Sequence, residues 1–211
     1  MTPRRLAILA SFLPLALTAP VFAAPSFSDC FPLKADISYQ MGDSVVSTAK
    51  IDVNGKPAIQ MDTVNGNIRN TLIYDISGRK LLRSVNWSMS DRNTPDVTVD
   101  WTTAPTHPEQ VAPGQSFKLS GKGTQITAST GERTEIDFDG YSHYTFVGFE
   151  DLPLDIDGKE RVFKNVCHLR VKEEGKTIET WHAAGFGQIK FKYYEGEMLM
   201  LAEEMSEIFE E

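Results

Sequence analysis

From residue 35 onward, short runs alternate apolar with polar residues between turn-forming dipeptides. Val45, Ser47, Ala49, Ile51 and Val53 fall on one face of an extended segment, with Thr48, Lys50 and Asp52 opposite. Val97, Val99 and Trp101 alternate with Asp96, Thr98 and Asp100, and Thr134, Ile136 and Phe138 alternate with Glu135, Asp137 and Asp139. Phe163, Asn165, Cys167, Leu169 and Val171 share a mainly apolar face opposite Lys164, His168 and Arg170. A period of two with one dry side is the mark of a half-buried strand. Asn54-Gly55, Asn65-Gly66, Ser77-Gly78 and Asp157-Gly158 supply residues that tolerate positive φ, as tight hairpin turns require.

These signals predict an all-β fold: a single antiparallel sheet, curled into a barrel or half-barrel, over residues 25–211. The prolines at 105, 108 and 113 make residues 102–114 a surface loop. The C-terminal segment reads two ways. Tyr193 to Leu201 fits a last hairpin turning at Glu195-Gly196, whereas Met198, Leu201, Ala202, Met205, Ile208 and Phe209 recur at helical spacing. A strand followed by a short C-terminal helix or a frayed tail is expected.

The first 24 residues stand apart. Arg4 and Arg5 precede a mostly apolar run from Leu6 to Leu17, and Val21-Phe22-Ala23 resembles a signal-peptidase site. Residues 1–24 are therefore expected to be a signal peptide cut after Ala23 or Ala24, leaving a periplasmic or secreted protein. The run is shorter than the ~20 residues that span a bilayer, so no transmembrane segment is expected in the mature chain. The whole chain has 211 residues and a net charge of −8, and loss of the leader removes two arginines and no acid, giving −10. Such a charge repels phosphate backbones and anionic head groups and excludes a nucleic-acid partner.

An export route changes the reading of Cys30 and Cys167, the two cysteines of the chain. In an oxidising compartment they are natural disulfide partners. Phe27-Ser28-Asp29 before Cys30 is unlike the small, apolar lead-in of a lipidated cysteine. A loop of this length stabilises by about 4–5 kcal/mol in the chain-entropy model.

Candidate chemistry is sparse. There is no G-x-S-x-G elbow, Gly121-Lys122-Gly123 lacks the spacing of a phosphate loop, and His107, His143, His168 and His182 form no zinc-spaced set. His168 and His182 could meet on adjacent strands, although solvated histidines on a polar face are the commoner outcome. Asp137-Phe138-Asp139-Gly140 and Asp155-Ile156-Asp157-Gly158 resemble the opening of a calcium loop but lack its later ligands, and hairpin turns account for them. No cofactor or metal is expected, and the enzyme class stays open with binding favoured over catalysis.

The segment Trp181-His182-Ala183-Ala184-Gly185-Phe186-Gly187-Gln188-Ile189-Lys190 sets two glycines around one aromatic, as at a β-corner. Together with Phe163-Lys164-Asn165-Val166-Cys167-His168-Leu169-Arg170-Val171, it resembles a broad bacterial group of exported β proteins of unknown function. That group pairs T-F-x-[ND]-x-C with W-[YH]-A-x-G-[VF]-G-x-[VI]-K, and this chain departs by placing Val162 before Phe163. The resemblance implies an envelope β-barrel or half-barrel and no catalytic residue.

Three functional classes follow. The first is a non-enzymatic carrier or binding module for an apolar or lipid-like ligand, with Trp101, Trp181 and Phe186 as contact residues that could equally be core. The second is an accessory factor with a filled core that engages an envelope protein, with residues 203–211 as an acidic docking tail or a packed terminus. The third is a hydrolase whose site assembles only in three dimensions.

Overall fold

The computed structural model describes residues 25–88, 95–139 and 143–209; residues 1–24, where a signal peptide is expected, lie outside them. A 3-10 turn, Phe27–Cys30, precedes fourteen strands. The first six are β1 (Ile37–Met41), β2 (Ser44–Val53), β3 (Lys56–Asn65), β4 (Ile68–Asp75), β5 (Leu81–Ser88) and β6 (Val97–Thr103). A two-residue strand β7 (Ser116–Phe117), β8 (Gly121–Thr127) and β9 (Glu132–Phe138) follow. The last five are β10 (Tyr144–Ile156), β11 (Lys159–Glu173), β12 (Lys176–Ala183), β13 (Gly187–Glu195) and β14 (Met198–Phe209).

All pair antiparallel in one sheet, in the order β7-β10-β11-β12-β13-β14-β1-β2-β3-β4-β5-β6-β8-β9. Nearly every connection is therefore a hairpin between sequence neighbours. The Asn54-Gly55 and Asp157-Gly158 turns have both residues at positive φ and join Val53 to Lys56 and Ile156 to Lys159. Asn65 instead belongs to β3, and Gly66-Asn67 makes the turn. Gly78 is required for a different reason: a Cβ there would lie 2.3 Å from the Leu33 nitrogen.

The sheet curls without closing. β14 ladders through Met198–Glu204 with β13 and through Met205–Phe209 with β1. Where β14 leaves β13, the end of β10 takes its place, with Asp157 N–H donating to the Ser206 carbonyl at 2.9 Å. Strands β10–β14, with β7 on the edge of β10, thus wrap into a nearly closed half, and β3–β6, β8 and β9 extend from it as an open half.

The closed half is filled. Leu152, Leu154, Ile156, Phe163, Val166, Trp181, Ala183, Ile189 and Met205 pack with Tyr39, Met41 and Val46 inside the curl. A second core lies on the outer face of β10 and β11, where Phe27, Cys30, Phe31, Phe146, Cys167 and Leu169 pack under the N-terminal turn. The Cys30–Cys167 disulfide joins that turn to β11, with an S–S distance of 2.05 Å and Cα atoms 5.9 Å apart. Strand β11 is consequently buried on both faces.

Three expectations change. First, the dry face of β2 is the opposite one near its start: Val46 and Thr48 are buried while Val45 and Ala49 are exposed. Val46 joins the core, and Thr48 is admitted because its hydroxyl donates to the Lys34 carbonyl at 2.8 Å. Second, no C-terminal helix or frayed tail forms over residues 198–209, which are all strand, so the exposed-tail reading of 203–209 also falls. A bulge at Ser206 puts Met205 and Ile208 on the same inner face, opposite Met41 and Tyr39, and so reproduces helical spacing in a strand. Third, the loop at 104–115 is no mere surface strap: His107 and Val111 from it pack against the disulfide core.

Candidate functional site

Three places collect chemistry. The first is a half-open groove of about 780 Å³ at one end of the open half. Its wall is apolar, from Val53 and Pro57 at the β2–β3 hairpin, Ile76 and Leu82 around the β4–β5 turn, and Trp101 on β6. Lys56, Lys80, Arg83, Asp75 and Asp100 add the polar atoms. Arg83 is engaged, its Nε donating to Asp100 Oδ1 on the neighbouring strand. Asp75 Oδ1 is occupied by the turn, accepting from Ser77 and more weakly from the Arg79 and Lys80 backbone. Lys56 and Lys80 form no ion pair with any described residue. Trp101 is fixed in place because its Nε1 donates to Ser84 Oγ at 3.0 Å.

A hollow of about 260 Å³ beside Tyr39, Met61 and Glu203 is three times smaller. Tyr39 is buried and its hydroxyl lies 3.0 and 3.1 Å from the Phe186 and Gln188 carbonyls, so burial holds its pKa well above the usual tyrosine range.

The second place is a ring-and-charge cluster at one mouth of the closed half. Cross-strand register sets His168 beside Trp181, and the rings stack 4.3 Å apart. Lys190 and Lys192 lie over the same indole at 5.8 and 5.7 Å. Glu150 accepts from Trp181 Nε1 and approaches His168 Nδ1 at 3.4 Å. Glu179 is held by Arg170 at 2.7 Å and sits 3.5 Å from His168 Nε2, which has no well-aligned hydrogen bond. Burial pulls the His168 pKa down, Arg170 adds to that, and Glu179 and Glu150 oppose it. Both carboxylates are thus committed to Trp181 and Arg170, which suits a charge-balanced network better than a free acid–base pair.

The third place is the histidine pair of the disulfide core. His107 stacks on Phe31 at 3.8 Å and lies 6.3 Å from His182. Burial lowers their pKa values to about 4 and about 3, with His107 also repelling charge on His182. His168 and His182 occupy adjacent strands, paired with Trp181 and Cys167 respectively, but on opposite faces, so they never meet. Neither is solvated in the way a polar sheet face suggests.

Among the described residues, no group of three or more His, Cys, Asp or Glu could hold a metal ion. Asp137 is paired with Lys122 at 2.7 Å, and Asp157 belongs to the β10–β11 hairpin turn; Gly140 of the first acidic tetrad lies outside the described residues.

Of the three aromatic residues expected to contact a ligand, Trp101 lines the groove. Trp181 and Phe186 go to the closed half instead, Trp181 buried in its core and Phe186 packed against Phe163, Tyr39 and Arg161. The β-corner expected at Gly185 and Gly187 is the β12–β13 turn, flanked by a bulge at Ile189. It receives the N-terminal segment, with Lys34 N–H donating to the Gly185 carbonyl and Gly185 N–H to the Pro32 carbonyl. The groove lysines and the His107 contact had no sequence signal, since hairpin tips and a long loop assemble them.

The chain matches no protein-family model, and no curated protein matches it. Among solved structures it is similar to a Bacteroides fragilis chain described as a candidate exported protein with a YmcC-like fold, at 13% identity and a TM-score of 0.39. That likeness covers 86% of this chain and 100% of the other. No described helix is long and apolar enough to cross a membrane, which says nothing of strands.

Proposed function

We propose that the protein is an exported, non-enzymatic binding module that takes a lipid-like amphiphile in the groove beside Trp101. The carrying observation is the pairing of an apolar wall, formed by Val53, Pro57, Ile76, Leu82 and Trp101, with the unpaired ammonium groups of Lys56 and Lys80. In a chain of net charge −8, two free cations beside an apolar wall suit a ligand with an apolar body and an anionic head. The core of the closed half is packed with its own side chains among the described residues, which supports a ligand bound outside the curl. The leader-like residues 1–24 and the disulfide support action in the periplasm or outside the cell.

The test is native mass spectrometry of the mature protein purified from its own envelope, followed by tryptophan-fluorescence titration with a long-chain fatty acid. Trp101→Ala and Lys56→Glu/Lys80→Glu should each weaken binding at least about ten-fold, the loss of about 1.4 kcal/mol of contact. Repeated recovery without ligand, together with a flat titration, overturns the reading.

A second reading, an interaction factor with a filled core, is favoured by the packing of the closed half and by apolar side chains left exposed on β14.

A further inference from the structure

The sheet has two kinds of free edge. The outer edge of β9 runs Glu132-Arg133-Thr134-Glu135-Ile136-Asp137-Phe138, and its charged side chains are the common protection against unwanted strand pairing. The first half of β14 is a different case. Residues 198–203 pair with β13 on one side, while β1 ladders only with Met205–Phe209 and the β1–β2 turn begins at Gly42. Among the described residues, no strand pairs the other side of 198–203, and one 3.4 Å bond from Gly42 N–H to the Glu204 carbonyl marks where pairing stops. A bulge leaves Met200 without a partner on β13 as well.

This edge carries no protecting charge at its centre. Met198, Leu199, Met200 and Leu201 are 67, 49, 50 and 46% exposed. Six residues of strand span roughly 20 Å. Their unpaired backbone groups specify an extended polypeptide as occupant, because only another strand satisfies them at regular spacing. The ends of the edge specify its charge. Glu195, Glu197 and Glu203 flank the apolar run, and Glu204 is already paired with Lys190. A second copy of this chain, laid antiparallel on the same edge, would bring these carboxylates against one another.

We propose that residues 198–203 are a strand-addition site for an extended segment of a partner protein, apolar at its centre and carrying Lys or Arg at both ends. The site is independent of the groove, being on the other half of the molecule.

The experiment uses the mature, disulfide-bonded protein and a fluorescein-labelled peptide of alternating valine and threonine with two lysines at each end. The expected result is saturable binding that weakens with salt and slows amide exchange at residues 198–203. The same peptide with glutamates in place of the lysines should bind at least about ten-fold more weakly, as several exposed charge pairs imply. Met200→Pro and Leu201→Lys should each abolish binding while preserving the circular dichroism spectrum and fatty-acid titration of the parent. Met200→Pro puts a residue without an N–H into the strand at the bulge, where Met200 has no register partner on β13. If Met200→Pro unfolds the protein, Leu201→Lys carries the test, because its exposed position tolerates charge. Equal binding of both peptides, no change in exchange at 198–203, or a dimer that Leu201→Lys dissolves would each overturn the proposal.

Discussion

The two halves of the sheet share strand geometry and differ in how they are held. Among the described residues of β3–β6, β8 and β9 the buried apolar ones are Ala58, Ile59 and Ile73, whereas β10–β14 contribute to two cores and are covered on both faces at β11. What the open half has in place of a core is cross-strand polar contact. Asp62 on β3 accepts from Arg69 at 2.6 Å, Thr71 at 2.5 Å and Gln60 at 2.8 Å, and Trp87 Nε1 donates to the same Thr71 hydroxyl. Burial would raise the Asp62 pKa, but these hydrogen bonds outweigh it and hold the carboxyl below its usual range. One continuous ladder can therefore be stabilised by oil at one end and by hydrogen bonds at the other. The half held by hydrogen bonds is the one that carries the groove of about 780 Å³.

The comparison can be broken most directly at the cores. Phe146→Ala, which empties the centre of the disulfide core, should cost about 3–5 kcal/mol in urea unfolding. Ile136→Ala on half-buried β9 should cost about 1 kcal/mol or less. Equal losses would show that the two halves are held alike. Replacing both cysteines with alanine should cost about 2–5 kcal/mol. The loss of exchange protection should concentrate in β10 and β11 and leave β3–β5 nearly unchanged.

A pH titration separates the halves without mutation. His107 and His182 are neutral when folded, with pKa values near 4 and 3, and the unfolded chain takes up their protons near the ordinary value of 6.5. Their contribution is intact above that value and is lost as pH falls toward 4. Between pH 7 and 5 the loss should be about 2–4 kcal/mol, at about 1.4 kcal/mol per unit for each histidine below 6.5. Asp62, with its lowered pKa, acts only below the ordinary carboxylate value of 3.8, so the upper window reports the closed half. His107→Phe should preserve the stacking on Phe31 and remove about half of the slope. Asp62→Asn should cost about 1–3 kcal/mol by leaving Arg69 and Thr71 poorly matched.

Much of this was legible in the sequence, for physical reasons. Turns written by two residues, such as Asn54-Gly55 and Asp157-Gly158, depend on local φ preference alone and sit where expected. The Cys30–Cys167 bond was readable from two cysteines and the expectation of export to an oxidising compartment. Bulges were not legible, because an extra residue reverses the facing of everything after it. Asn165, at φ 52°, lets Phe163 and Val166 point into the same core, and the Ser206 bulge makes a strand imitate a helix. The place of Trp101 on an alternating strand was readable, whereas the groove it lines depends on two hairpin tips meeting, which no pattern along the chain encodes.

One further consequence belongs to β14. Six of its residues are paired to β13 and four to β1, so this one segment is stitched into both parts of the molecule. Through that shared backbone β1, and the ladder that leads from it to β3, is tied to the strands of the closed half.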